Sequence, residues 1–145
     1  EEFQKIFNGF YQVRRNKDWR KEYYNYFESV KSKNLSFKEI ITFLKQYQGR
    51  VEPSFSSKML ATINPEMPIW DSKVLNCLSL ENAWNSQNTV KNAIDIYNQI
   101  VEWYKEYLKT EKAKHNIKVF DTWFPEYTKK ISDVKKIDYI LWCIG

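Results

Sequence analysis

The sequence predicts an all-α protein, seven or eight helices in a single domain spanning residues 1–145. Three observations predict it. Apolar residues recur at helical spacing almost everywhere. Only 3 Gly and 4 Pro interrupt the pattern, too few for a turn-rich β-sandwich. The chain is 43% apolar and 17% aromatic, with 6 Trp, 10 Tyr and 9 Phe, so its core is built largely from rings. A domain of this length buries roughly 68–70% of the surface its unfolded chain exposes, enough for a core without staples.

The elements follow in order. Phe3, Ile6, Phe7 and Phe10 form a first stripe. Asn16 or Asp18 caps a second helix carrying Trp19, Tyr23, Tyr26, Phe27 and Val30. Ser36 and Glu39 form a capping box ahead of Phe37, Ile40, Ile41, Leu44 and Tyr47. Gln48–Pro53 is a loop, and a helix starting at Ser54 carries Phe55, Met59, Leu60 and Ile63. Asn64-Pro65 ends it, because a residue before proline disfavours the helical region. Pro68 keeps the next residues extended. Asp71 or Ser72 then caps a helix with Val74, Leu75 and Leu78.

The longest pattern, about Thr89 to Lys114, reads as one helix with a wide apolar face that includes Tyr97, Tyr104 and Leu108. Its polar end projects into solvent, with His115 beside it. Phe120, Trp123 and Phe124 form a short piece stopped at Pro125. Ser132 caps a last helix with Val134, Ile137, Leu141 and Ile144, whose outer face carries Lys135 and Lys136. There is no internal repeat, low-complexity tract or Gly/Ser linker.

Composition excludes some chemistry. Gly9, Gly49 and Gly145 make neither a phosphate loop nor a dinucleotide fingerprint. One His and two distant Cys leave no zinc site of the usual kind, so no metal and no cofactor are expected. Cys77 and Cys143 lie in apolar patterns and read as buried thiols of a reducing compartment. With no apolar run of 18 residues and no signal-peptide core, a soluble, cytoplasmic chain without a membrane partner is expected. It begins at Glu1 rather than Met, which leaves room for residues upstream.

The net charge of +5 is uneven. Residues 1–50 hold 11 Lys/Arg against 6 Asp/Glu, including Arg14, Arg15, Lys17, Arg20 and Lys21. Such a cluster is either a solvated helix face or a phosphate-attracting patch.

Ser54–Val74 is the most informative stretch. It reads as a helix with small Ser56, Ser57 and Ala61 for close packing, then a Pro-bounded extended turn, then an Asp at a helix start. That position suits Asp71 as an N-cap, whose carboxylate complements the helix dipole. Pro68-Ile69-Trp70-Asp71-Ser72 also resembles the Pro-Val-Asp-Thr/Ser segment of the helix-hairpin-helix DNA glycosylase superfamily, with one extra residue. The likeness is to its small, divergent, 8-oxoguanine-glycosylase-like bacterial members.

The resemblance implies a glycosylase-like helical domain. It also implies duplex DNA as partner in base-excision repair, and Asp71 as the catalytic residue that stabilises positive charge on the sugar. Arg50, Ser57, Lys58 and Lys73 would contact phosphate or substrate. Trp70, with Trp84, would either stack a flipped base or pack in the core.

Two features depart from the family. Its hairpin is Gly-rich, whereas Gly49-Arg50-Val51-Glu52-Pro53 has one Gly, an acid and a Pro. Its lysine nucleophile would fall near Ser54, Phe55 or Ser56. Lys58, two to four positions on, is expected on another face of the helix. The implied activity is therefore a monofunctional glycosylase without lyase activity, or a relic without chemistry. The alternative is a non-catalytic helical module that binds a protein partner.

Overall fold

The computed structural model describes residues 1–85 and 87–145. Among these, every regular element is helical. They are α1 (Glu2–Phe10), α2 (Lys17–Val30), α3 (Phe37–Gln48), α4 (Pro53–Ile63), α5 (Ser72–Cys77), α6 (Val90–Leu108), α7 (Glu111–Trp123) and α8 (Asp133–Ile144). One 3-10 turn covers Pro125–Tyr127. None of the described helices is long and apolar enough to cross a membrane. The chain divides into two compact units, Glu1–Asn34 and Leu35–Gly145.

The first unit holds α1 and α2. Asn16, not Asp18, caps α2, its side chain accepting the Trp19 N–H at 2.8 Å. The packing is ring on ring. Phe7 makes edge contacts with Tyr11, Tyr24 and Phe27 at centroid distances of 4.7, 5.9 and 6.0 Å, a favoured aromatic geometry. Tyr24 donates its hydroxyl to Asn8 at 2.7 Å, and burial pushes that hydroxyl's pKa up to about 12. Of the α1 stripe only Phe7 is buried; Phe3, Ile6 and Phe10 are exposed.

In the second unit the Ser36–Glu39 capping box forms as expected, with both reciprocal bonds present. Gly49 ends α3 in the left-handed region (φ 71°), which glycine adopts without a Cβ clash. The loop is only four residues long, because Pro53 takes the first position of α4, where its missing N–H costs nothing. α3 packs on α4 and α6, burying Ile40, Ile41 and Leu44, while Phe37 stacks on Tyr97 at 4.0 Å. Tyr47, at the end of the α3 stripe, is exposed and stacks on Phe43 at 4.5 Å. α8 packs on α5 and α7 and buries Val134, Ile137 and Leu141.

Several expectations need correction. The pattern from Thr89 to Lys114 is two helices rather than one, parted at Lys109–Thr110. Thr110 supplies the reason. Its hydroxyl donates to the Tyr107 carbonyl at 2.7 Å and accepts the Ala113 N–H at 3.1 Å, a local alternative to the helical ladder that starts α7. Phe120 and Trp123 belong to α7, and His115 is an exposed residue within it.

Lys136 is not on an outer face. It is buried, and its ammonium meets Asp121 at 2.8 Å, Asp133 at 3.2 Å and the Thr128 carbonyl at 3.1 Å. Burial by itself lowers its pKa, but the two carboxylates override that and raise it. The thiols are not both buried either. Cys77 is half-buried and Cys143 exposed, on the rim of an apolar groove of about 530 Å³ between α7 and α8 lined by Phe120, Phe124, Tyr127 and Tyr139. Helical periodicity marked Cys143 as apolar-facing, but its side chain is exposed.

Replacing Thr110 with Ala removes the α7 cap and should lower unfolding stability by about 1 kcal/mol in urea denaturation. A change below a few tenths would show that the break does not depend on that cap.

Candidate active site

The connection from α4 to α5 ends in the buried, non-helical residues Pro68, Ile69 and Trp70, followed by Asp71. A segment of this kind has no helical ladder and no partner strand. Its backbone groups need partners from elsewhere, since an unpaired buried N–H or C=O is costly. The partners are side chains of three helices.

Ser57 on α4 accepts the Trp70 N–H at 2.8 Å while donating to the Ser54 carbonyl at 2.8 Å. Tyr97 on α6 donates its hydroxyl to the Pro68 carbonyl at 2.8 Å. Asp138 on α8 lies against the Ile69 amide, which stabilises its charge. Further back, the Asn64 side chain accepts the Glu66 N–H at 3.1 Å. Ser132, the N-cap of α8, donates to the Pro65 carbonyl at 2.5 Å.

Asp71 emerges from this segment half-buried, with Oδ1 accepting the Lys73 N–H at 2.9 Å as the N-cap of α5. Ser72 does not take that place. Lys58, on α4, is 7% exposed. Burial lowers its pKa, and the Asp71 carboxylate opposes that shift, so the two groups lie within electrostatic reach. The Lys58 ammonium also sits 5.6 Å from the Phe55 ring centre.

The other predicted site residues divide. Ser57 has no exposed surface, and its hydroxyl is engaged on both sides, so it shapes the segment. Trp70 is buried edge-on to Trp84 at 5.4 Å and is a core residue. The Lys73 side chain turns to the far end of α8, lying 4.3 Å from the Trp142 ring centre and donating to the Trp142 carbonyl at 3.3 Å. Arg50 is exposed on the α3–α4 loop. In that loop the Gly49 N–H is bonded to the Lys45 carbonyl, and Pro53 has no N–H to give.

Sequence reading missed Tyr97, Tyr104 and Asp138 as site-shaping residues. Tyr104 donates to Asp138 Oδ1 at 2.6 Å, and Lys135 lies 3.7 Å from Oδ2. Burial raises the Asp138 pKa to about 6, against the opposing pull of Lys135, Tyr104 and the Ile69 amide. The available signal was a carboxylate on the buried face of α8, next to Ile137 and one turn from Val134 and Leu141. For Lys58 it was the single charge in Pro53–Ile63.

A buried amine whose basicity is lowered by desolvation is suited to nucleophilic chemistry. Among the described residues, no group of three or more His, Cys, Asp or Glu is placed to hold a metal ion. Compared with known proteins, the chain matches no family model, no curated protein and no solved structure.

The raised pKa of Asp138 has a sign. Between its ordinary 3.8 and about 6, the folded chain keeps a proton that the unfolded chain releases, so this group's contribution to stability falls as pH rises through that window. In an Asp138→Asn variant that dependence is absent. Wild-type stability relative to the variant should therefore be on the order of 2–3 kcal/mol higher at pH 4 than at pH 7. Equal pH profiles for the two proteins in urea denaturation would refute this.

Proposed function

We propose that Lys58 and Asp71 are the reaction centre of a DNA base-excision protein that opens the N-glycosidic bond of an altered base in duplex DNA. The observation that carries the reading is the buried Lys58 amine of α4, its basicity depressed by burial, within electrostatic reach of the Asp71 carboxylate that caps α5. The resemblance of Pro68–Ser72 to the glycosylase segment supports it.

The pairing alters the expected chemistry. With Lys58 at the site, an amine takes the place of water as nucleophile. Its lone pair attacks C1′ of the nucleotide, the C1′–N bond breaks, and the electron pair leaves with the base. The proton shed by the new C–N bond passes to the departing base. The C1′–O4′ bond then opens to an imine on Lys58 and a hydroxyl on the sugar. The Asp71 carboxylate balances the positive charge that develops at C1′. Arg50, exposed next to α4, is the predicted site residue best placed for a phosphate.

Duplexes carrying a single oxidised, alkylated or deaminated base should release it, and borohydride should trap the protein on the DNA. Lys58→Gln should abolish trapping, and Asp71→Asn should slow base release by roughly 100-fold or more with the helical circular dichroism retained. No release and no adduct with any lesion would overturn the reading and leave the alternative, a non-catalytic helical module.

Duplex affinity should fall about tenfold between 50 and 200 mM salt if as few as two phosphates are contacted. An affinity indifferent to salt would exclude a phosphate-driven mode.

A further inference from the structure

We infer that the first unit, Glu1–Asn34, docks on an anionic lipid bilayer, with the exposed side of α1 entering the acyl boundary and the cations that follow it meeting lipid phosphates. The inference does not rest on the proposed reaction, whose residues all lie in the second unit.

The apolar stripe of α1 is only partly buried. At 3.6 residues per turn, Phe3, Ile6 and Phe10 fall within about 60° of one another around the helix. Phe7, at the edge of that arc, is buried against the α2 rings of Tyr23, Tyr24 and Phe27. The other three are 43%, 65% and 53% exposed. Single exposed apolar residues are normal, but a row of three on one side of a nine-residue helix marks an interaction surface.

The chain then turns back onto the end of this helix. The N–H groups of Tyr11, Gln12 and Val13 bond to the carbonyls of Phe7, Gly9 and Asn8 at 2.9, 3.4 and 3.0 Å. These bonds hold the turn against the last turn of α1, which carries Phe10, and Arg14 follows directly. Residues 14–21 have five basic side chains, Arg14, Arg15, Lys17, Arg20 and Lys21, against one acid, Asp18. Arg15 lies 5.6 Å from the Trp19 ring centre, while Arg14, Lys17 and Lys21 are exposed. Lys17, Arg20 and Lys21 occupy the first five residues of α2, where cations oppose the helix dipole. Lys17 and Lys21 are also a like-charged i,i+4 pair, which is unfavourable. An anion outside the chain offsets both costs.

The two features together select the occupant. A polyanion such as duplex DNA would meet the cations and leave the α1 stripe in water. A second copy of the chain would cover the stripe and gather two clusters of like charge. An anionic bilayer takes the apolar row into its acyl boundary and the cations at its headgroups, as for helices that lie in the interface. This mode of attachment needs no membrane-spanning helix.

The test is co-sedimentation of the whole chain with vesicles of phosphatidylcholine, with or without phosphatidylglycerol. The protein should pellet with the anionic vesicles, far less with phosphatidylcholine alone, and less as salt is raised. Ile6→Asn and Phe10→Asn, at exposed positions, should each weaken binding roughly tenfold. Lys17→Gln and Lys21→Gln should each weaken it about fivefold. The two lysine variants relieve an unfavourable helix end, so they should keep the helical circular dichroism and stay informative if an α1 variant does not fold. No binding to anionic vesicles overturns the inference. So does binding unchanged by both α1 variants, which would report charge attraction alone, or binding unchanged by both lysine variants. A concentration-dependent dimer in gel filtration that Ile6→Asn abolishes, with no pelleting, would assign the stripe to a second copy instead. Lysine variants that lose affinity for duplex DNA and not for vesicles would assign the cluster to DNA and likewise overturn it.

Discussion

Three buried residues, Pro68, Ile69 and Trp70, run without regular structure between two helices, and among the described residues their backbone has no strand to pair with. In a helix the ladder satisfies each N–H and C=O. Here the same requirement falls on side chains, and it recruits Ser57, Tyr97 and Asp138 from α4, α6 and α8. This explains several polar groups in an otherwise aromatic and aliphatic core. It also explains why Tyr97 and Tyr104 are tyrosines. Each ring packs apolar surface, and each hydroxyl serves the segment or its anchor.

The same constraint ties α4 to the segment, because Ser57 bonds to it directly. Lys58, the lone charge on α4, is buried within electrostatic reach of Asp71. The α3–α4 hairpin shows the opposite economy. Gly49 closes α3 with its own amide, and Pro53 opens α4 without one.

Buried charge is handled in two ways in α8. Lys136 is surrounded by Asp121 and Asp133, which keep it protonated in spite of burial. Asp138 has weaker compensation, with Lys135 at 3.7 Å and a tyrosine hydroxyl, so desolvation prevails and its pKa rises to about 6. The two lie on one helix, two residues apart, and differ because carboxylates reach one and a neutral segment faces the other.

The sequence by itself determined the helices and most of their ends. The Ser36–Glu39 box, the Asn64-Pro65 stop and the caps at Asp71 and Ser132 are local chemistry, decided within one turn of chain. It also marked Asp71, because a carboxylate after a proline-bounded extended stretch is a local pattern. The break at Thr110 was local too, but a continuous apolar stripe across it hid a threonine cap. What only the tertiary structure decided is which polar side chains turn inward. Lys136 looks like a surface residue on its own helix, and Lys58 is the single charge on its helix, yet both are buried. Groups from other elements meet the buried charges of α8: Asp121 for Lys136, and Tyr104 and Ile69 for Asp138. Helical periodicity records which face is apolar. It carries no information about a backbone segment that arrives from elsewhere with unpaired amides, and that segment is what draws charge into this core.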